Sequence, residues 1–532
     1  MQRSIRESEN HKSMMPFVQN VINIQVEGIP DQAMCDVSRE RARRLPRAWA
    51  LMPICILLVD TARPDHKPTS HNAPLRPGAR LHLITAMRLR ILALPCFLSA
   101  GSVLHATDPS PDLVKFAPPW SSVFRVDPEH RYHLANAEGR HLYLFDRTTW
   151  LYFRCEDPTG VLRRTKAIGA NVLRVALAGA PYFDAKHLLL WPWEGTPEHP
   201  DYAHFSASYW DEVERRVRLA GEQGIGLDLV LYYYTLKPTA TDIDAQRPYW
   251  DEAIRRLSKY ANILTWEIAN EYTGNETFQD AVAAYLHTHD PWHRPVCTSD
   301  ITTDNAVWPL KPWMDLAIVH TCTSSAPRDD LQDWYLALAH NVRSWAKPAF
   351  ANETGREIRH QNDDGVNRRK QAWLWGAAGA YWEWHSWGGC EGIDDPNYHA
   401  PGEEFMPAFA GFFSNLPFWE MAPNDIVVQI LSPGVIKSVL SKPDDTDTLA
   451  YFCVRETGRQ ADEVRIALRV REGHYRLDYV EPATGRVMSS QFHESRGGAV
   501  VLMLPAFRDD LALHIVKLSA KPLIEPRHDR AP

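Results

Sequence analysis

Between Leu142 and Trp384, short β-branched or aromatic runs alternate with amphipathic stretches, and this alternation constrains the fold of the 532-residue chain most tightly. Strand followed by helix, repeated, argues for βα units around a parallel sheet. Eight runs recur: Leu142–Asp146, Asn171–Leu177, Gly226–Tyr232, Ile263–Ala269, Pro295–Ser299, Asp315–His320, Pro348–Asn352 and Ala380–Trp384. Eight strands over about 240 residues predict a (β/α)8 barrel, which typically takes about 250. Helical spacing occupies Tyr209–Gln223, Trp250–Tyr260, Glu276–His289 and Asn367–Ala378, with Gly224 as a C-terminal stop and Gly379 leading into the eighth run. Between Ser299 and Asp315 there is little room for a helix, so that unit is expected to be degenerate. A doubly wound open sheet also alternates, but no GxGxxG follows an early strand.

After Trp419 the texture changes. Tryptophan disappears, and strand-like runs recur at Val427–Ile430, Leu449–Val454, Glu463–Val470, Tyr475–Tyr479, Ala499–Leu504 and Ala512–Lys517. Short strands separated by turn clusters predict a compact β-sandwich. The expected layout is a barrel over 115–420, a sandwich over 421–519 and a tail over 520–532.

The N-terminus reads differently. Met87 opens a possible leader: Arg88 and Arg90 precede the apolar Ile91–Ala100, and a small-residue exit follows at Ala100 or Ala106. This is the layout of a signal peptide over 87–106, too short in its apolar run to span a bilayer. Residues 1–86 show no sustained periodicity. Either they are a genuine extension or translation starts at Met87; Ala50–Val59, behind a basic cluster, allows a longer leader instead. A secreted or periplasmic protein is the expectation.

Charge narrows the partners. The net charge is −8, but residues 1–86 carry 12 Lys/Arg against 8 Asp/Glu, which leaves −12 for the rest. An acidic body repels phosphate backbones, so nucleic acid is not an expected partner, whereas neutral carbohydrate is indifferent to that sign. The cysteines beyond the leader (Cys155, Cys297, Cys322, Cys390 and Cys453) show no metal-like spacing. They read mostly as small buried hydrophobes, with room for one disulfide. No HExxH or GxSxG occurs, so neither a metalloenzyme nor an esterase is indicated, and no cofactor is implied.

Two acidic motifs close strands. Trp266-Glu267-Ile268-Ala269-Asn270-Glu271 ends the fourth run, and Ala349-Phe350-Ala351-Asn352-Glu353-Thr354-Gly355 ends the seventh. Glu271 and Glu353 stand about three βα units apart, so both can point into one barrel mouth. Paired carboxyl groups flanking a scissile bond are what a retaining glycosidase needs. Glu267 lies on the same side of its strand as Glu271 but about 13 Å deeper, which favours a buried structural partner.

These motifs resemble the large clan of (β/α)8 glycoside hydrolases that retain anomeric configuration. The resemblance implies Glu271 as general acid/base and Glu353 as nucleophile. Gly169-Ala170-Asn171-Val172-Leu173-Arg174 resembles the clan's strand-two segment, whose arginine supports the nucleophile. Asp290-Pro291-Trp292-His293-Arg294-Pro295-Val296 resembles its approach to strand five. His320 falls at the strand-six tip, and Trp382 falls where the clan often places a sugar-floor tryptophan. Within the clan, the chain is most similar to the apiosidase-like group, which joins such a barrel to a small C-terminal β-domain. Gly139-Arg140-His141-Leu142-Tyr143-Leu144 with Thr148-Thr149-Trp150 resembles its opening strand, and Gly473-His474-Tyr475-Arg476 with Pro482-Ala483-Thr484-Gly485 resembles its C-terminal domain. The family's Gly-Asp becomes Asp146-Arg147 in this chain, so the resemblance does not carry apiose specificity across.

The expected substrate contacts are therefore Arg174, Asn270, His320, Trp382 and Trp384. Asn270 is placed to hydrogen-bond a sugar 2-hydroxyl. Arg174 reads alternatively as a core charge paired with Glu267, and Trp384 as core or rim. Glu383 reads equally as a sugar contact or a structural ion pair. The aromatic stretch with Trp191, Trp193, Tyr202, Phe205 and Tyr209 reads equally as a sugar-stacking surface or a lid packed on itself. A noncatalytic carbohydrate-binding protein on the same scaffold is the alternative function.

Overall fold

The computed structural model describes residues 112–178, 191–196, 199–233, 236–272, 274–300, 305–321, 330–354, 364–386 and 399–519. The leader and the tail expected at 87–106 and 520–532 lie outside these residues, as do Cys322 and Cys390. Cys155, Cys297 and Cys453 are buried.

Eight parallel strands form one sheet: β1 (Phe145–Thr148), β2 (Val172–Ala178), β3 (Gly226–Tyr232), β4 (Ile263–Ala269), β5 (Val296–Cys297), β6 (Ala317–His320), β7 (Ala349–Asn352) and β8 (Tyr381–Trp384). Their order around the sheet is β6-β7-β8-β1-β2-β3-β4-β5, and β8 pairs with β1, so the sheet curls into a nearly closed barrel. The seam lies between β5 and β6. There Asp315 bridges the strands: its N–H donates to the Val296 carbonyl at 2.9 Å and its carboxylate accepts from Val296 N–H at 2.8 Å.

Helices α1 (Pro158–Ala167), α2 (Ala207–Glu222), α3 (Ile243–Leu257), α4 (Glu276–His289), α5 (Leu331–Arg343), α6 (Gly365–Ala377) and α7 (Met406–Ser414) surround the strands. Among the described residues no helix separates β5 from β6, as the short interval predicts. Asp157, Ser206, Asn275 and Asp364 cap α1, α2, α4 and α6 by accepting backbone N–H bonds, which satisfies donors that the first turn leaves free. Gly169, ahead of β2, sits at φ +82°, and a Cβ there would lie 2.4 Å from the Ala410 methyl. Only glycine suits both the left-handed turn and the approach of α7.

Three boundaries differ from expectation. β1 starts at Phe145 rather than Leu142 because the Asn171 amide accepts from Phe145 N–H and donates to the Tyr143 carbonyl, replacing ladder bonds upstream. β5 contracts to two residues at the seam. Helix α3 begins seven residues before Trp250 and accommodates Pro248, which occupies its sixth position. An internal proline reads as a breaker, yet here it lies near the N-terminal end, where fewer intrahelical bonds are at stake.

The C-terminal region is all β. A six-stranded antiparallel sheet runs from an edge at Ala422–Pro423 through β10 (Val435–Ser441), β11 (Asp447–Val454), β16 (Asp510–Leu518) and β13 (Gly473–Glu481) to β14 (Arg486–Ser495). A three-stranded sheet of β9 (Val428–Ile430), β12 (Arg465–Arg469) and β15 (Ala499–Met503) faces it. Val439, Phe452, Leu477 and Leu513 from the large sheet share a core with Val428, Ile466 and Leu468 from the small one, which makes a sandwich. Alternate residues of the large sheet, including Leu440, Leu449, Tyr451 and Ala512, join the barrel core instead.

β10 and β14 are not evident in the sequence. The first interleaves Lys437, Ser438 and Ser441 with its apolar residues, and the second is a mostly exposed polar edge organised by pairing with β13.

Helix α6 lies between barrel and sandwich, buried from Asn367 to Ala377 despite its polar stretch. Arg369 forms a bidentate pair with Asp510 at 2.7 and 2.9 Å, and Lys370 Nζ donates to the Val454 carbonyl at 3.0 Å. Buried charges must be paired to be tolerated, so these contacts dictate how the sandwich seats on the barrel.

Candidate active site

Strand alternation decides which side chains enter the barrel. Arg174 on β2 is fully buried and acts as a hub. Its Nε and Nη2 donate to both oxygens of Glu267 at 2.7 and 2.6 Å, and its Nη1 donates to Glu353 Oε1 at 3.1 Å. Nη2 also donates to Asn270 Oδ1 at 2.7 Å and Ser299 Oγ at 2.9 Å. The guanidinium lies 4.5 Å from the Trp150 ring centroid. Both expected roles for Arg174 hold geometrically at once: its fork braces Glu267, and one arm holds Glu353. Glu267, on β4, also accepts from Ser299 Oγ at 2.6 Å and does not project to the mouth.

Glu353 follows β7 directly and Glu271 follows β4 after Asn270, and both adopt left-handed backbone, at φ 47° and 51°. Such conformations are uncommon outside glycine and cluster at functional sites. Their carboxylates converge with His320 at the tip of β6: Glu271 Oε1 lies 3.7 Å and Glu353 Oε2 3.9 Å from His320 Nδ1. One oxygen of each glutamate and one ring nitrogen all lie within 4.8 Å of one another. The Glu271 side chain is 20% exposed and that of Glu353 only 1%. One carboxylate therefore faces the opening while the other sits beneath it.

Below this pair the barrel holds more carboxyl groups than Arg174 can neutralise. Burial raises Asp146 on β1 from 3.8 to about 7, with Arg174 opposing and Glu267 adding to the rise. Burial likewise pushes Asp228 on β3 and Glu383 on β8 well above the carboxylate range. Burial also opposes the charge on Arg174, but contact with Glu267 outweighs it and keeps the guanidinium protonated. Surplus acids in a dry interior keep their protons because each further negative charge goes unmatched.

Five of the seven expected site residues thus meet: Glu271, Glu353, Arg174, Asn270 and His320. The two tryptophans do not. Glu383 points inward on β8, so Trp382 and Trp384 face outward. Trp382 packs on Phe145 and on Phe409 of α7, and Trp384 packs on Trp382 and under Arg368 of α6. Both belong to the layer between strands and helices rather than to a sugar floor. The aromatic stretch after β2 likewise packs on itself. A hairpin pairs Trp193–Thr196 with His199–Phe205, and Trp193 lies against Trp191, Tyr202 and Tyr249. Asp146 enters the interior, whereas Arg147 turns outward to Thr165 Oγ1 of α1 at 3.1 Å, so neither reaches the mouth.

Among the described residues, two clusters carry metal-ligand atom types. Asp228, Glu267 and Cys297 lie together, but Glu267 is taken by Arg174 and burial pushes the Cys297 thiol well above its ordinary range. That donor set suits a proton-retaining core better than a cation. The other cluster is Glu271, His320 and Glu353 itself.

Residues 128–389 match the model of the apiosidase-like catalytic domain. Among solved structures, one titled a glycoside hydrolase is 17% identical with TM-score 0.60, and the match covers 76% of this chain and all of that one. A family 5 glycoside hydrolase from Bacteroides vulgatus is 16% identical with TM-score 0.59, covering 77% of this chain and 97% of that one. No curated protein matches the chain. The match spans the barrel from before β1 to beyond β8 and encloses both glutamates. Residues 128–389 thus form an apiosidase-like domain on a (β/α)8 barrel, and a β-sandwich follows it.

Proposed function

We propose that this protein is a retaining β-glycosidase acting on polysaccharide or oligosaccharide, with Glu353 as nucleophile and Glu271 as general acid/base. The observation that carries the reading is the convergence of these two carboxylates, with oxygens within 4.8 Å. Retaining enzymes hold their carboxyl groups about 5–5.5 Å apart, whereas inverting ones leave about 6.5–9.5 Å for a water.

Burial and partners allot the roles. Glu353, enclosed and held by Arg174, is oriented as a carboxylate to attack the anomeric carbon. Glu271, at the open side, donates a proton to the departing glycosidic oxygen. A glycosyl ester on Glu353 results. Water then attacks the same carbon, Glu271 takes its proton, and Glu353 leaves as carboxylate with configuration retained. Asn270, whose Oδ1 is engaged by Arg174, has its NH2 to offer a sugar 2-hydroxyl. His320, between the carboxylates, is placed to bond whichever becomes charged.

The leader layout at 87–106 supports export, and the seating of the sandwich on α6 supports a bracing role for that domain. Glu353→Gln and Glu271→Gln, assayed on aryl glycosides and pectic side-chain oligosaccharides, test the mechanism. Each substitution is expected to lower kcat by at least about 10²-fold. Undiminished activity in both variants, or an inverted anomer by NMR, overturns the reading. A protein that binds glycans and hydrolyses none of them would instead be a carbohydrate-binding module on this scaffold.

A further inference from the structure

We propose that Glu383 is a positioning residue for the nucleophile: its carboxyl group and main-chain carbonyl together clamp the left-handed backbone at Glu353. The proposal rests on the reading of Glu353 as nucleophile. A non-glycine residue at φ 47° persists only where its surroundings over-determine it. Two bonds from one residue of the next strand do this. Glu383 Oε2 accepts from Glu353 N–H at 2.6 Å, and the Glu383 carbonyl accepts from Thr354 Oγ1 at 2.5 Å.

The same Oε2 also accepts from the Asn352 side-chain amide, whose oxygen in turn accepts from Arg174 Nε. Glu383 is buried, and its Oε1 has no hydrogen-bond partner among the described residues. Its register partner across β8 and β1 is Asp146, also inward and acidic, whose Oδ1 likewise lacks a partner. Burial pushes Glu383 well above the carboxylate range, with Arg174 opposing. A neutral acid keeps a carbonyl oxygen to accept from the amide, and glutamine reproduces that oxygen in the same shape. The nucleophile is then held from two directions, its carboxylate by Arg174 and its backbone by Glu383.

Glu383→Gln and Glu383→Leu separate this from simple filling of the core. The readouts are kcat and KM on an aryl glycoside, the rate at which an activated 2-deoxy-2-fluoro glycoside labels Glu353, and deuterium uptake at the Glu353 amide. Glu383→Leu is expected to lower kcat and labelling about 10- to 100-fold, as a misplaced reacting group does, with KM within about twofold. Glu383→Gln is expected to keep both within about threefold. A folded Glu383→Leu variant labelled at the wild-type rate overturns the proposal, and so does a Gln variant that falls as far as Leu. If the wild type itself is not labelled at Glu353, the nucleophile reading fails and the exchange data decide the clamp. An amide protected in wild type and Gln but released in Leu supports it, and equal uptake in all three overturns it.

Discussion

Asp146 turns the interior of the barrel into a pH-dependent load on stability. In the unfolded chain its carboxyl titrates near 3.8, and in the folded protein burial raises it to about 7. Between those values the folded state binds a proton that the unfolded state has lost, so unfolding becomes easier as pH rises. At about 1.4 kcal/mol per pH unit, the gap from 3.8 to about 7 corresponds to about 4 kcal/mol of stability present below the lower value and lost by the upper one. Asp146→Asn keeps the shape and removes the titration. Urea unfolding of both proteins at pH 4.5, 6.0 and 7.5 checks this. The wild type is expected to lose about 3 kcal/mol relative to the variant across the series. Asp228 and Glu383 also carry raised values, partly through the Asp146 charge, so part of the difference reports their relief when that charge is removed. A difference that stays within about 1 kcal/mol at every pH would refute the assignment of a buried, protonated Asp146.

Other consequences follow from the same geometry. Arg174→Lys keeps a positive charge but cannot span Glu267, Asn270 and Glu353, and charge-assisted bonds are worth about 1.5–3 kcal/mol each; the variant should unfold at lower temperature and lose kcat, and unchanged values for both would contradict the hub. Asp510→Ala strands the Arg369 guanidinium between barrel and sandwich, with an expected loss of about 3–5 kcal/mol in chemical denaturation. Arg369→Met combined with Asp510→Leu should recover much of that loss, because neither charge then remains buried. His320→Gln, without a ring nitrogen between the carboxylates, should reduce kcat while leaving the thermal midpoint within a few degrees.

Part of this protein was legible without coordinates because its code is local. Alternating strand and helix periods announce a barrel, and Asn270-Glu271 and Asn352-Glu353 end strands where a parallel barrel exposes its chemistry. What only the tertiary structure decided is which way side chains face and what meets across the barrel. Trp382 and Trp384 look like sugar-binding residues, but a strand offers two faces, and Glu383 takes the inner one. Closure of the sheet brings Arg174 to Glu267, Asn270, Ser299 and Glu353 at once, a convergence invisible to spacing along the chain. Likewise β14 exists because β13 lends it a partner, not because its own residues alternate. Periodicity is a property of neighbours in sequence, whereas burial, proton affinity and the pairing of charges belong to neighbours in space.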